Sequence, residues 1–445
     1  MQRRATGEHL PDSLEEVEMP LGSNCWRHVI AVALLLPALA SMPARADDPG
    51  ISPEEILIGM SAPFSGASRN LGRDLYRGAM ACFLAVNATG GIHGRQIKLV
   101  AYDDGYQPES TFKNTLKLLQ DDHVFLLFNF VGTDPVTRVL PILKKFQNDK
   151  ALLFFPLTGA EPQRRPPYDA LVFNLRASYR QETAGLVDHL VAAGRSRIAI
   201  FYQADAYGRG GWAGVREALA GHQLQIVAEA TYARGTAYTA SFVRPVEILA
   251  ADHPDAIISI GSYAASAGFI RAARQAGITV PIANISFADS DSMLALLETS
   301  GAHDGRDYTQ QLIHSAVVPG INSLDLPAVR EYRARMDRYQ PTLPPALSAA
   351  GDPAATPSTV GFEGYLNAQL LVQILTRLGD NPRRADLPTA ALNSSGVDLG
   401  SGFTVSFAGG RNQGSDAVYY STVRGGQVVP IDDWTPFTKN GSRSP

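Results

Sequence analysis

The fold prediction starts from the stretch Ala151–Pro162, with the sequence ALLFFPLTGAEP. Its five apolar residues Ala151–Phe155 are typical of a strand buried on both faces, as in a parallel sheet. Pro156 lacks a backbone donor, so the strand ends there and the chain leaves the sheet at its carboxyl edge. Open α/β sheets bind ligands at that edge. The stretch offers the Thr158 hydroxyl, the Gly159 backbone and adjacent amides, with no nucleophile, general base or metal ligand beside them, so it predicts binding without reaction.

Strand and helix alternate on both sides of this stretch, which predicts a parallel sheet covered on both faces. The pattern restarts after Arg176–Arg180, which indicates a second lobe. The predicted strands are Ile56–Met60, Gln96–Tyr102, Val124–Phe130, Leu171–Leu175, Arg197–Tyr202, Gln225–Ala230, Ala256–Ile260, Pro281–Phe287 and Gln311–Val318. The predicted helices are Leu71–Ala88, Pro108–Gln120, Pro135–Phe146, Gln181–Ala193, Gly211–Ala220, Ala265–Gln275, Leu326–Arg338 and Phe362–Leu378.

Composition excludes several classes of protein. The chain has 445 residues, which predicts at least two domains. Its net charge of −4, with both signs scattered, gives no indication of nucleic acid binding. The nine histidines are dispersed without the spacing of a metal site.

The first 46 residues have the order of a secretory signal: Arg27 and His28, the apolar run Val29–Ala40, then Ala44-Arg45-Ala46. Cleavage after Ala46 would leave Cys82 as the one cysteine, and its helical apolar surroundings predict a buried thiol. Because the segment before Met19 is acidic, Met19 is an alternative start. We therefore expect a periplasmic protein.

Several motifs, in order, resemble the leucine/isoleucine/valine-binding family of periplasmic solute receptors. The first is Val86–Arg95, with the sequence VNATGGIHGR, followed by Leu99–Asp104, LVAYDD, and Pro108. Asp205-Ala206-Tyr207-Gly208 follows a predicted strand, and Gly361-Phe362-Glu363-Gly364-Tyr365 opens the long apolar helix. The resemblance covers about Ile56 to Pro430.

The resemblance implies an α/β protein of two Rossmann-like lobes, a type I periplasmic binding protein clamshell joined by three hinge strands. The first lobe would comprise residues 47–176 plus 319–399, and the second residues 177–318 plus 400–435. The family's role implies a monomer that binds an amino acid, an amide or a small carboxylate between the lobes, without a cofactor, and delivers it to ABC permease subunits. The alternative is a receptor of the same fold that acts on a regulator or sensor kinase. An enzyme would need a nucleophile–base pair or a cofactor loop, and the sequence shows neither.

The family's carboxylate-binding positions correspond in the first lobe to Gly132-Thr133 and to Leu157, Thr158 and Gly159. Amides at the start of a helix bind anions through their N–H groups and the helix dipole. The alternative role of Thr133 is the N-cap of helix Pro135–Phe146.

In the second lobe, the family's tyrosines correspond to Tyr207 and Tyr263, each alternatively a packing residue at a strand end. Asp289 is expected to pair with a ligand ammonium, with Asp291 as the other choice and helix capping as the alternative. Where the family often has a large aromatic residue, this chain has Ala67-Ser68-Arg69-Asn70. This departure leaves the solute open, and Arg69 either meets an acidic ligand group or is solvated.

Two further patterns predict structure instead of chemistry. Gly208–Ala213 fits G-x-G-x-x-A but begins too far past its strand to bind a dinucleotide, so it predicts a glycine-rich helix entry. Asp103-Asp104 could pair for acid–base catalysis, but the resemblance places both at a strand end in a structural role.

Overall fold

The computed structural model of the chain describes residues 48–349, 352 and 354–439. The predicted signal segment, with Met19, Cys25 and the cleavage point after Ala46, lies outside these residues. Within them, 14 strands alternate with 11 helices. No described helix is both long and apolar enough to cross a membrane.

The first sheet contains five parallel strands in the order β2-β1-β3-β4-β5. Apolar residues fill its interior strands because helices cover both faces. Its strands are β1 (Glu55–Ala62), β2 (Gln96–Asp103), β3 (Leu126–Phe128), β4 (Leu153–Phe154) and β5 (Val172–Phe173). The helices between them are α1 (Arg69–Ala88), α2 (Pro108–Gln120) and α3 (Thr133–Lys145).

A second parallel series follows. Its strands are β6 (Ile198–Gln203), β7 (Glu229–Tyr232), β8 (Ala256–Ile260), β9 (Ile282–Asn284) and β10 (Leu312–Ala316). Its helices are α4 (Tyr179–Ala192), α5 (Ala206–Gly221), α6 (Val243–Ala251), α7 (Tyr263–Gln275) and α8 (Ser290–Asp304).

The chain then returns to the first sheet before completing the second. The returning elements are α9 (Pro327–Tyr339), α10 (Thr359–Thr376), α11 (Leu387–Leu392) and the small hairpin of β11 (Val397–Asp398) and β12 (Thr404–Val405). Two antiparallel strands, β13 (Tyr419–Arg424) and β14 (Gln427–Pro430), extend the second sheet to the order β14-β13-β10-β9-β8-β6-β7. The chain thus passes between the two sheets three times, as the resemblance implies.

The lobe boundaries remain a prediction, and one contact bears on them. Phe407, which the prediction gives to the second lobe, packs against Phe155 and Phe173 of the first sheet, with ring centroids 6.4 and 5.5 Å apart. The first and third crossings also run side by side, since the Asn174 amide donates to the Asn412 carbonyl at 2.7 Å.

Glycine allows α10 to pack very closely on α1. A Cβ atom on Gly78 would lie 1.8 Å from the Gly361 carbonyl oxygen, and one on Gly364 would lie 2.3 Å from the Leu75 carbonyl oxygen. Glycine supplies this close approach because it has no side chain. The Gly361–Tyr365 motif therefore has a packing function at this crossing.

Strands β3 and β4 are shorter than predicted because the residues after them leave the β conformation. Asn129 and Phe155 both have a φ of 54°, a left-handed backbone that costs about 1–3 kcal/mol in a bulky residue. Asn367 of α10 holds both positions, donating to Asn129 Oδ1 at 2.8 Å and to the Phe155 carbonyl at 3.3 Å. This strained edge fixes where the chain leaves the two strands.

Several predicted elements differ from the observed ones. Helix α5 begins at Ala206, not at Gly211, because the Asp205 carboxylate caps the amides of Tyr207 and Gly208. The strand predicted at Gln225–Ala230 is β7, shifted toward the carboxyl end, and the sequence analysis missed α6 and α8 entirely.

The structural interpretations of the minor motifs are confirmed. Cys82 is buried, and burial raises the pKa of its thiol to about 12. Gly208 lies in the first turn of α5, where a Cβ atom would meet the Gln203 carbonyl oxygen at 1.8 Å. Asp103 accepts the amides of Phe64 and Gly105, and Asp104 accepts the Ser61 and Thr111 hydroxyls, so both carboxylates hold turns.

Candidate functional site

The carboxyl ends of the two sheets meet in a group of buried residues that we call the inner cluster. The first lobe contributes two hydroxyl groups, a glycine and the Tyr106 ring, and the second lobe contributes three further aromatic rings. The inner cluster consists of Tyr106, Thr133, Thr158, Gly159, Tyr179, Tyr207 and Phe287.

Two threonine hydroxyls form the polar centre of the inner cluster. Thr133 Oγ1 and Thr158 Oγ1 are 2.8 Å apart, and both residues are buried. Thr133 does not cap its helix, because Gly132 is the N-cap of α3 and Thr133 is the first helical residue. The capping alternative is therefore wrong, and the first-turn amides of α3 have no acceptor within the helix.

The backbone after β4 offers fewer donors than the sequence analysis expected. The Leu157 amide donates to the Phe130 carbonyl at 2.8 Å, and the Thr158 amide donates to the Pro156 carbonyl at 2.9 Å. Leu157 thus extends the pairing with the chain after β3 for one more residue instead of leaving the sheet at once. Among these residues, the Thr158 hydroxyl and Gly159 remain as groups that a ligand could contact.

Aromatic rings from both lobes enclose these hydroxyl groups. The Tyr207 ring lies 5.3 Å from Tyr179 and 4.7 Å from Phe287, and Phe287 lies 5.8 Å from Tyr106. The Tyr207 hydroxyl donates to the Gly261 carbonyl at 3.2 Å. The Tyr106 hydroxyl is buried without a hydrogen-bond partner among the described residues, and the Tyr179 hydroxyl lies by the Thr133 and Thr158 hydroxyls. Burial raises the pKa of both phenols. The Tyr106 phenol therefore has free hydrogen-bonding capacity.

A buried ion network lies beside the inner cluster at the first crossing. The Arg176 guanidinium is 3.4 Å from Glu182 of α4 and 3.4 Å from Glu363 of α10. Glu182 also accepts the Ser315 hydroxyl at 2.6 Å and the Ser286 amide at 2.8 Å. Burial raises the pKa of Glu363. Since Glu182 and Glu363 belong to different lobes, Arg176 ties the lobes together.

A second charged contact joins the lobes at the rim, and we call it the latch. Arg234, which follows β7, bridges Asp134 at 2.6 Å and Asp205 at 2.8 Å. Asp134 also accepts the first amides of α5, from Ala206 at 3.4 Å and Tyr207 at 3.3 Å. A carboxylate of the first lobe thus lies at the positive end of a helix of the second lobe.

The lobes also border a half-open cleft of about 980 Å³, which we call the outer chamber. One wall is a face of α1, with Arg69, Asn70, Arg73, Asp74 and Arg77. The opposite wall belongs to the second lobe, with Tyr263, Ala264, Asp291, Ser292, Ala295 and Leu296. The segment before α10, including Asp352 and Ser358, completes the chamber.

Of the two acidic candidates, Asp291 lines the outer chamber and Asp289 is buried near it. Asp289 caps α8 by accepting the Ser292 amide, so the capping alternative holds, but its second oxygen is buried without a partner. Burial, followed by the carboxylates of Asp74 and Asp291, holds the pKa of Asp289 well above its ordinary value. Asp291 lines the chamber and accepts the Thr359 amide at 2.7 Å. Burial also raises the pKa of Asp74 to about 6.

The structure therefore separates the predicted site residues into two groups. Thr133, Thr158, Gly159 and Tyr207 meet in the inner cluster, with Leu157 next to Thr158 in the chain. Tyr263 lines the outer chamber, and Asp289 is buried near that chamber's Asp74 and Asp291. The sequence analysis missed Tyr106, Tyr179, Arg176 and the latch. Tyr106 follows β2 as Tyr207 follows β6, so the position after a strand could have indicated it.

The chain matches the family model described as "Periplasmic binding protein" over residues 55–427. Among solved structures, a possible leucine/isoleucine/valine-binding protein from Rhodopirellula baltica SH 1 is 29% identical, with a TM-score of 0.73, covering 88% of this chain and 99% of that one. A substrate-binding periplasmic protein from Ralstonia solanacearum is 30% identical, with a TM-score of 0.73, covering 83% of this chain and 98% of that one.

Curated relatives match over shorter stretches. An amino acid binding protein of Pseudomonas aeruginosa is 35% identical over 68 residues, which are 15% of this chain and 18% of that protein. The Leu/Ile/Val-binding protein homolog 2 of Brucella abortus is 33% identical over 81 residues, which are 18% of this chain and 22% of that protein. The match of the family model over most of the chain, with the two-lobed fold, shows that this chain belongs to the periplasmic binding protein family.

Proposed function

We propose that this chain is an extracytoplasmic solute-binding protein of an ABC transporter. It closes its lobes over an amino acid or a related small polar or amphipathic solute and delivers that solute to permease subunits in the inner membrane. The observation that carries the proposal is the inner cluster, where the Tyr179 hydroxyl lies by the threonine pair and the buried Tyr106 hydroxyl has no hydrogen-bond partner among the described residues.

The inner cluster suits a carboxylate. The Thr133 and Thr158 hydroxyls lie at the start of α3, whose Thr133 and Asp134 amides have no acceptor within the helix. Hydrogen bonds to a charged acceptor are stronger than neutral ones. The Tyr179 and Tyr207 rings would cover the solute's apolar part. Asp289, with its unpartnered oxygen, would receive a ligand ammonium at the chamber side.

The proposed role is binding instead of catalysis. Nucleophilic catalysis requires a hydroxyl activated by a neighbouring base. The Thr133 and Thr158 hydroxyls contact each other, and Thr158 accepts the Ala160 amide at 3.3 Å. Export to the periplasm, with the signal before Asp47, and action as a monomer belong to the same proposal.

Thermal unfolding with a panel of amino acids, amides, short carboxylates and aromatic acids tests the proposal. A solute at about 100 times its Kd should stabilise the native state by about 2.7 kcal/mol. Stabilisation by one chemical class would support the proposal and identify that class. If no solute raises the Tm, the proposed ligand range is wrong.

Thr158→Val then tests the inner cluster, with Thr115→Val as the matched control. Thr115 is an equally buried threonine whose hydroxyl donates to the Thr111 carbonyl inside α2. We expect Thr158→Val to raise the Kd at least tenfold, about 1.4 kcal/mol, because one carboxylate donor is lost. Thr115→Val should leave the Kd unchanged. Equal affinities for both variants would contradict the assignment of the inner cluster.

A further inference from the structure

The outer chamber is larger than a branched-chain side chain needs, and its α1 wall is charged. Its volume of about 980 Å³ is at the upper end of the roughly 300–1,000 Å³ typical of drug-sized ligands. An apolar side chain placed there would desolvate charged groups without pairing them, which is costly. The chamber therefore fits a longer solute with a polar end.

The two walls differ in chemistry. The wall from the second lobe is formed mainly by Tyr263 and small or apolar side chains such as Ala264, Ala295 and Leu296. The α1 wall is charged. A solute lying across the chamber would therefore place its carbon chain against the second lobe and its polar end against α1.

When the charged residues that line the chamber are matched in pairs, one arginine has no carboxylate partner among the described residues. Arg73 forms an ion pair with Asp352 at 2.7 Å. Arg77 lies close enough to Asp74 to lower that carboxyl's pKa against the effect of burial. Asp291, the third carboxylate lining the chamber, accepts a backbone amide.

Arg69 is the remaining cation on this wall. Its guanidinium donates a long hydrogen bond, 3.5 Å, to the Gly66 carbonyl in its own turn. No carboxylate among the described residues forms an ion pair with it. Arginine pairs with carboxylates through a planar fork of donors, so Arg69 can bind an anionic group without giving up an existing ion pair.

We infer that the solute is longer than a branched-chain amino acid and ends in a second anionic group, a carboxylate in the simplest case, which Arg69 binds in the outer chamber. This inference rests on the proposed function. The inner cluster would bind the first carboxylate, and the chamber would select solutes by the length and charge of the far end.

Matched pairs of solutes test the inference on the full-length mature protein by calorimetry. Each pair has a similar chain and differs at the far end: L-glutamate against L-glutamine, L-2-aminoadipate against L-norleucine, and adipate against hexanoate. We expect the diacid of at least one pair to bind at least tenfold more tightly than its partner.

The variant Arg69→Gln should reduce that preference to within about threefold while leaving the affinity for the monoacid unchanged. The control Arg244→Gln should change neither affinity, because Arg244 is on the surface of α6 with 79% of its side chain exposed. A preference that survives in Arg69→Gln, or an equal loss for both members of a pair, would overturn the role of Arg69.

The outcomes separate this inference from the proposed function. Binding of monoacids as tight as that of diacids overturns the inference and leaves the proposed function in place. Absence of binding by every member of the panel counts against both.

Discussion

At the inner cluster the two lobes touch through the rings of Tyr106 and Phe287, whose centroids are 5.8 Å apart, whereas at the outer chamber they border an open cleft of about 980 Å³. The arginines follow the same division. Arg176 beside the inner cluster is buried between two glutamates, and Arg69 at the chamber has no acidic partner within residues 48–349, 352 and 354–439. The inner region thus fixes the lobes against each other, and the outer region leaves charge for a solute.

The largest effect should follow the loss of Arg176. Arg176→Met would leave Glu182 and Glu363 buried without their cation, and breaking a buried pair in this way costs about 3–5 kcal/mol. We expect the free energy of unfolding in urea to fall by this amount. Arg69→Met should change it by no more than about 0.5 kcal/mol, as is usual for exposed positions. Comparable losses in the two variants would remove the contrast between the regions.

The latch should show an intermediate effect. Arg234→Gln removes two short ion pairs that are partly buried, and hydrogen bonds to charged groups contribute about 1.5–3 kcal/mol. A double-mutant cycle with Asp134→Asn would measure the coupling between the lobes directly. If the losses in the free energy of unfolding of the two single variants add up to that of the double variant, Asp134 and Arg234 have no energetic coupling across the lobes.

The smallest effect should appear in the pH dependence of the chamber. Burial raises the pKa of Asp74 from 3.8 to about 6, so between these values the folded protein binds more protons than the unfolded chain. Stability from this group is therefore present at low pH and is lost as the pH rises through 6. Between pH 4.5 and pH 7.5 we expect the free energy of unfolding of the wild type to fall by about 1–2 kcal/mol relative to that of Asp74→Asn. The expected fall is kept small because the Asp74 side chain is partly exposed to solvent. Parallel pH profiles for the two proteins would contradict this.

The sequence predicted the alternating fold because buried strands and amphipathic helices have clear periodicities. The strand ends were harder to predict. Phe155 belongs to an apolar run, and only the contact between its carbonyl and Asn367 shows why its backbone turns left-handed there. Helix α8 was missed because its polar start resembles a loop, and the cap from Asp289 that begins it depends on the backbone conformation of that residue.

The candidate site was predicted only in part for a related reason. Tyr207 and Thr158 follow strands, so a pattern along the chain could indicate them. Arg234 and Asp134 are far apart in sequence and meet only because the two lobes lie against each other. No local sequence pattern predicts this contact. Position after a strand predicts which residues face the cleft, but the pairing of charges across it depends on the relative placement of the lobes.

The late position of α10 has a consequence for how the protein is made. The first sheet ends at Phe173, but the helix that packs on α1 and holds the left-handed ends of β3 and β4 lies between Thr359 and Thr376. While the ribosome is still synthesising the second sheet, the first lobe lacks this partner and Gly78 has nothing packed against it. The nascent chain therefore cannot complete its first lobe until most of its length exists, so the contacts of α10 with α1, β3 and β4 can form only late in synthesis.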